Sequence, residues 1–122
     1  MEIANPVIKW LHLLEAICGA YPFNSLDAED RLLFCDLIIR WSRDDKVWVR
    51  DLLRDRRHPS PTTAYRRLMR LQGKGLVSFQ VPKEDRRLRC VLPTEAALRH
   101  ISGLEVALYR FVSDRTHGAQ DF

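Results

Sequence analysis

Val7, Trp10, Leu11, Leu14, Ile17 and Cys18 recur along the start of the chain at the spacing of one α-helical face. Asn5-Pro6 ahead of them reads as an N-cap followed by proline at the first helical position, and Gly19 as the stop, which predicts a helix of about four turns starting at Pro6. Ile8 and Leu13 lie off the stripe, so this helix has apolar surface on more than one side. A second subunit is the economical partner for it. After a turn over 22–24, Asp27 with Asp30 three residues on resembles a capping box opening a second helix that ends at Trp41. Leu32, Leu33, Phe34, Leu37, Ile38 and Trp41 give that helix a broad apolar surface, and a central, buried position is expected.

The pattern then changes. A polar connection over 43–46 leads into Val47-Trp48-Val49, which reads as a short strand, and 49–56 reads as a short helix with Leu52 and Leu53 facing inward. Ser60-Pro61 repeats the cap-plus-proline signal and opens a helix that runs to about Lys74, where Gly75 stops it. Ala64, Leu68 and Leu71 share one face of this helix. Thr62, Arg66 and Met69 fall opposite, flanked by Tyr65 on one side and by Thr63, Arg67 and Arg70 on the other. A helix that buries a narrow stripe and turns arginines, threonines and a tyrosine outward has the chemistry of one that enters a nucleic-acid groove. Residues 76–81 alternate as a strand, 82–87 form a charged turn and 88–92 return as a second strand, a hairpin with a basic tip. Pro93-Thr94-Glu95 begins a last helix carrying Ala97, Leu98, Ile101, Leu104, Leu108 and Phe111, and the residues after 113 read as a loose polar tail.

These elements predict a mainly α fold with a small β-hairpin, an α+β chain whose 122 residues suffice for one domain and an appended arm. The expected organisation is an N-terminal helix over 1–24, a central domain over 25–92, a C-terminal helix over 93–113 and a flexible tail over 114–122.

Charge sharpens the picture. The formal total is only +4. Residues 50–90, however, hold 12 Lys/Arg against four acids, leaving 8 basic and 12 acidic residues for the remainder. A stretch at +8 beside a remainder at −4 suits a polyanionic partner, with nucleic acid the first candidate. Cys18, Cys35 and Cys90 are odd in number and widely spaced, which argues against a disulfide framework or zinc module and for a reducing cytoplasm. No apolar run has the length of a membrane span, and the first residues lack the pattern of a signal peptide.

The order helix, helix, short strand, helix, turn, helix, hairpin, helix is that of a winged helix-turn-helix flanked by extra helices. From Ser60 to Ala97 the chain resembles the multiple-antibiotic-resistance regulator (MarR) family of winged-helix transcription factors. Ser60-Pro61-Thr62-Thr63, then Arg66, Leu68, Arg70 and Leu71, then Lys74-Gly75-Leu76-Val77, then Glu84-Asp85-Arg86-Arg87 and finally Pro93-Thr94-Glu95 carry the resemblance, in order and without a gap. The chain departs from the family pattern at Arg57-His58-Pro59, before the recognition helix, and at Pro93, where a leucine is usual. It is also shorter at its C-terminus than most members, and its first 59 residues match only in helix pattern.

The resemblance implies a sequence-specific regulator of transcription, a bacterial repressor on the nucleoid, acting as a homodimer through its first and last helices on double-stranded DNA. On that reading Thr62, Tyr65 and Arg66 read bases in the major groove, with Met69 able to touch a thymine methyl, and Ser60, Thr63, Arg67 and Arg70 suit phosphate. Lys83 lies in the basic wing tip. The resemblance assigns Asp85 to pairing with a nearby arginine and one of Arg86 and Arg87 to the minor groove. It also implies a small-molecule effector, which no residue identifies.

A winged helix can serve instead as a protein-binding module, and that is the main alternative. Catalysis is not expected: Asp55, His58 and Ser60 are close in sequence, but no nucleophile elbow, glycine-rich loop or paired acidic motif accompanies them. His12, His58, His100 and His117 share no metal spacing, so neither metal nor cofactor is expected. The cysteines read as small buried hydrophobes, Trp10 and Trp41 as core, and His12 and His100 as interface histidines.

Overall fold

The computed structural model describes residue 2 and residues 4–43, 46–83 and 87–119. The elements are α1 (Asn5–Gly19), a short 3-10 helix (Phe23–Ser25), α2 (Ala28–Ser42), α3 (Val49–Leu53), α4 (Pro61–Gly73), β1 (Val77–Gln80), β2 (Cys90–Pro93) and α5 (Glu95–Ala119). The chain is therefore mainly helical with one small antiparallel hairpin, an α+β arrangement. It divides into two compact units: Leu26–Leu98, and Met1–Ser25 with Arg99–Phe122.

The unit Leu26–Leu98 is built around α2. Asp27 caps that helix by accepting from the Asp30 N–H at 2.9 Å, a bond that holds the Asp27 carboxyl below its usual range. Only half of the anticipated capping box forms, because the Asp30 carboxylate is engaged elsewhere. Asp30, Leu33, Phe34 and Leu37 are buried along one stripe. Leu32, by contrast, is 71% exposed and Ile39 49% exposed, so α2 is amphipathic rather than buried all round. Those two positions, seven residues apart, lie on the face opposite Leu33 and Leu37. Trp41 closes the helix by donating from its indole N–H to the Val91 carbonyl at 3.0 Å, with its ring edge-on to Phe34.

α4 packs on α2 and carries α3 and β1 on its other sides, and Ala64, Leu68 and Leu71 of α4, Val49 and Leu52 of α3, and Val77 and Val91 of the hairpin are all buried. Each leucine-sized side chain so removed from water contributes about 1.5–3 kcal/mol before the entropy cost of ordering it. The hairpin register sets Val77 opposite Pro93 and Gln80 opposite Cys90. Val47-Trp48-Val49 adds to its far edge: Trp48 bridges Cys90, the Val49 N–H donates to the Arg89 carbonyl at 2.9 Å, and the Val91 N–H donates to the Val47 carbonyl at 2.7 Å. α3 is shorter than its expected 49–56, since the chain from 54 onward turns.

The unit formed by the two ends contains α1, which begins at Asn5 with Ala4 in the cap position, one residue earlier than the Asn-Pro signal suggested. No residue of α1 is buried. The turn after it seats Pro22 and Phe23, and the Asn24 side-chain amide donates to the Gly19 carbonyl at 3.1 Å. The His100 ring stands edge-on to Tyr21 with centroids 4.6 Å apart. α5 runs to Ala119, six residues past the end read from the sequence, because no proline and no glycine before Gly118 interrupts it there. No helix among the described residues is long and apolar enough to cross a membrane.

Candidate nucleic-acid interface

The start and end of α4 are fixed by local chemistry. The Ser60 hydroxyl accepts from the Thr63 N–H at 3.1 Å, and the two hydroxyls lie 3.0 Å apart. At the other end, the Leu76 N–H donates to the Leu71 carbonyl at 3.0 Å and the Gly75 N–H to the Gln72 carbonyl at 2.9 Å. That pair of bonds is a Schellman motif, and it requires Gly75 at φ +74°, a conformation that glycine adopts without strain. Thr94 ties the next element to the same corner by donating to the Gly75 carbonyl while accepting from the Ala97 N–H. α4, the hairpin and the first turn of α5 thus leave one point with defined directions.

Two arginines expected to face outward turn toward α2 instead. The Arg67 side chain is only 11% exposed; it donates to Glu29 at 3.1 Å and lies 3.0 Å from His58 Nδ1. Arg70 donates from Nε and from its terminal nitrogen to the two oxygens of Asp30, at 2.7 and 2.9 Å. The Asp30 side chain is 3% exposed, so this is a bidentate pair with one partner fully inside. The Asp30 hydrogen bonds first, and then its charge, hold Arg70 above its ordinary pKa against the opposing effect of burial. Arg67 and Arg70, expected as phosphate ligands, therefore each hold a carboxylate of α2 and brace α4 on it, Arg67 largely covered and Arg70 still 40% exposed. A sequence signal existed for Arg67. Positions 64, 67, 68 and 71 form a complete helical stripe, and an arginine on such a stripe is buried only when paired.

The face of α4 away from α2 carries Thr62, Tyr65 and Arg66, all exposed. Met69 and Thr63 are half-buried, and Ser60 is occupied as the cap. Arg66 has no hydrogen-bond or ionic partner among the described residues. Lys83 and Arg87 are exposed in the hairpin connection, where the Arg89 guanidinium lies 5.9 Å from the Phe79 ring centroid. Asp85 and Arg86, expected at the wing tip, lie outside the described residues, as does Glu84.

The unusual turn 54–60 is held by charges that sequence reasoning missed. The Arg57 N–H and guanidinium both donate to Asp55, the latter at 2.6 Å, and the guanidinium also reaches Asp36 at 3.1 Å. Arg40 joins Asp36 at 3.1 Å and Asp55 at 3.3 Å. These bonds, Arg57 first, hold the Asp55 carboxyl far below its ordinary range and Arg57 above its own. Asp55, His58 and Ser60 are thereby each committed to a structural partner. Among the described residues no group of three His, Cys, Asp or Glu could hold a metal ion, and the three cysteines form no disulfide, Cys90 being buried and the others half-buried.

His58 supplies a pH test. Burial first, and then the Arg67 guanidinium, hold its imidazole below the ordinary value of 6.5. A histidine so depressed binds fewer protons folded than unfolded, so stability is full above about pH 6.5 and falls as pH drops below it. Urea midpoints should fall between pH 7.5 and 5.5, and His58→Asn, whose amide oxygen can still accept from Arg67, should flatten that fall. An equally steep fall in the variant would assign the effect to other groups.

Comparison of the chain with family models, with curated proteins and with solved structures finds no match to any of them.

Proposed function

We propose that the chain is a winged helix-turn-helix transcriptional regulator similar to the MarR family, which binds double-stranded DNA sequence-specifically and acts as a repressor in a bacterial cytoplasm. In this reading α4 enters the major groove, the hairpin connection reaches the adjacent minor groove, and two copies bind half-sites about one helical turn apart. The observation that carries it is the division of labour on α4. Arg67 and Arg70 are spent on Glu29 and Asp30 of α2, while Thr62, Tyr65 and Arg66 stand exposed on the first two turns of α4. A helix braced through its charges and exposing an unpaired arginine fork suits a guanine edge.

A homodimer is supported separately by the unit of chain ends. α1 exposes Val7, Trp10, Leu11 and Leu14, and α5 exposes Val106 and Tyr109, the last at 77%. Apolar surface at that density is what a lone chain would leave in water and a second copy would cover.

Selection of binding sites from randomised duplex DNA by the purified chain tests both parts. A near-palindromic site with half-sites about 10 base pairs apart is expected. Recovery of no preferred sequence at any salt concentration overturns the reading.

The salt dependence of binding follows from the ion pairs. Each phosphate contact made by a free cation steepens the fall of affinity with salt, whereas a cation already neutralised within the protein releases no DNA counterion. Lys83→Ala should reduce the slope of log affinity against log salt by about one. Arg67→Met, which removes a cation held by Glu29, should leave the slope unchanged, and a smaller slope would return Arg67 to the phosphate contacts.

A further inference from the structure

The contact between Arg67 and His58 fixes the position of a proton. A guanidinium carries only donors, so at 3.0 Å from Arg67 the His58 Nδ1 must offer its lone pair, which makes the ring neutral with its proton on Nε2. Arg67 is held in place from α2: another of its terminal nitrogens donates to Glu29, and its Nε is buried with no hydrogen-bond partner among the described residues. His58 is half-buried and sits in the turn 54–60, where its N–H donates to the Asp55 carbonyl at 3.2 Å. Two residues further on, Ser60 caps α4 through the Thr63 N–H. The charged groups that face the ring are Asp36 of α2, Asp55 and Arg57 of the turn and Arg67 of α4, with Glu29 of α2 behind Arg67. Both aspartates favour an imidazolium, but each already pairs with Arg57 and Arg40, while Arg57 and Arg67 oppose it. A proton added at Nδ1 sets one N–H against another and places a second positive charge beside a largely buried one.

We propose that His58 is a proton-sensitive latch on α4: neutral, it holds the turn 54–60 against Arg67 and seats the helix start for operator binding, and protonated, it leaves Arg67, loosens the Ser60 cap and releases the operator. The release of DNA rests on the reading proposed above, whereas the latch itself does not. Burial and Arg67 hold the imidazole below the ordinary value of 6.5, so the latch is closed at neutral pH and opens on acidification. This direction is opposite to the generic one. The chain has four histidines, and charging them as pH falls strengthens attraction to any polyanion. Opening the latch weakens only binding that depends on how Thr62, Tyr65 and Arg66 are seated.

Two measurements on the full chain test it. Without DNA, the His58 ring, the Arg67 guanidinium and the Thr63 N–H are followed by NMR from pH 7.5 to 5.5. A shared midpoint below about pH 6.5 is expected. In His58→Asn, whose amide oxygen keeps accepting from Arg67, the Arg67 and Thr63 signals should stay still over the same range. Titration of His58 with Arg67 and Thr63 unmoved overturns the latch, and so does the same movement in His58→Asn. With DNA, the selected operator competes against random duplex at each pH. The ratio of the two affinities should fall about tenfold between pH 7.5 and 5.5 in the native chain and hold within about twofold in His58→Asn. Unfolding weakens both duplexes alike and leaves this ratio unchanged. A ratio that holds in the native chain, or falls equally in the variant, overturns the release of operator by His58. The NMR titration needs no operator, so failure of the latch and failure of the DNA reading are separate results.

Discussion

Arg70→Ala is expected to lower the unfolding free energy by about 2–3 kcal/mol, because it leaves a buried carboxylate without its counter-ion. Asp30 is 3% exposed and receives two charge-assisted hydrogen bonds from Arg70, so the variant would keep the desolvation cost and lose the compensation. Breaking a fully buried pair costs about 3–5 kcal/mol; Arg70 is itself 40% exposed, water can partly replace it, and the lower figure follows. Removing the charge on both sides, with Asp30→Asn added to Arg70→Ala, should recover part of the loss, and urea unfolding of the four chains of this cycle measures the coupling. DNA affinity should fall in Arg70→Ala only as far as the folded fraction and the seating of α4 fall. Unchanged stability with uniformly weaker DNA binding would make Arg70 a phosphate ligand after all.

Arg66→Ala is expected to behave in the opposite way. Its side chain is exposed on the outer face of α4 and has no partner among the described residues, so stability should change by no more than about 0.5 kcal/mol. On the selected operator, discrimination against the base pair it reads should drop by about 1–3 kcal/mol, roughly ten- to a hundredfold, while non-specific affinity changes little. Competition binding with operators altered one base pair at a time measures this. Equal loss on every sequence would make Arg66 a backbone contact. The two substitutions lie four residues apart, side by side on one helix, and their contrasting outcomes test which arginine is spent on the fold and which is free to bind.

Much of the local structure was legible because it depends on neighbours in sequence. Ser60-Pro61 and Lys74-Gly75 bracket α4 through bonds that span three to five residues, and Asp27 caps α2 in the same way. The alternation over 76–81 and 88–92 found the hairpin, although the regular pairing covers only Val77–Gln80 and Cys90–Pro93. The outward position of Thr62, Tyr65 and Arg66 followed from the spacing of Ala64, Leu68 and Leu71. What could not be read were partnerships between distant residues. Asp30 lies 40 residues from Arg70 and Glu29 lies 38 from Arg67. The stripe position of Arg67 announces a paired arginine without naming its partner, and nothing in the window around Arg70 distinguishes an arginine waiting for phosphate from one already holding a carboxylate.

The charge map changes accordingly. By sequence alone the +8 stretch 50–90 suits a polyanionic partner. Arg57, Arg67 and Arg70 instead meet Asp36, Glu29 and Asp30 of α2, so part of the excess is consumed inside the molecule. The sequence by itself determined the order and approximate limits of the helices and hairpin and the outer face of α4, because capping and hydrophobic period act over a few residues. Only the tertiary structure decided which arginines are spent on the fold, how α2 shares its polar and apolar faces, and where Trp48 comes to lie beside Cys90. Those outcomes depend on which groups packing brings within hydrogen-bond reach, and a buried carboxylate makes the choice binding because it cannot remain unpaired.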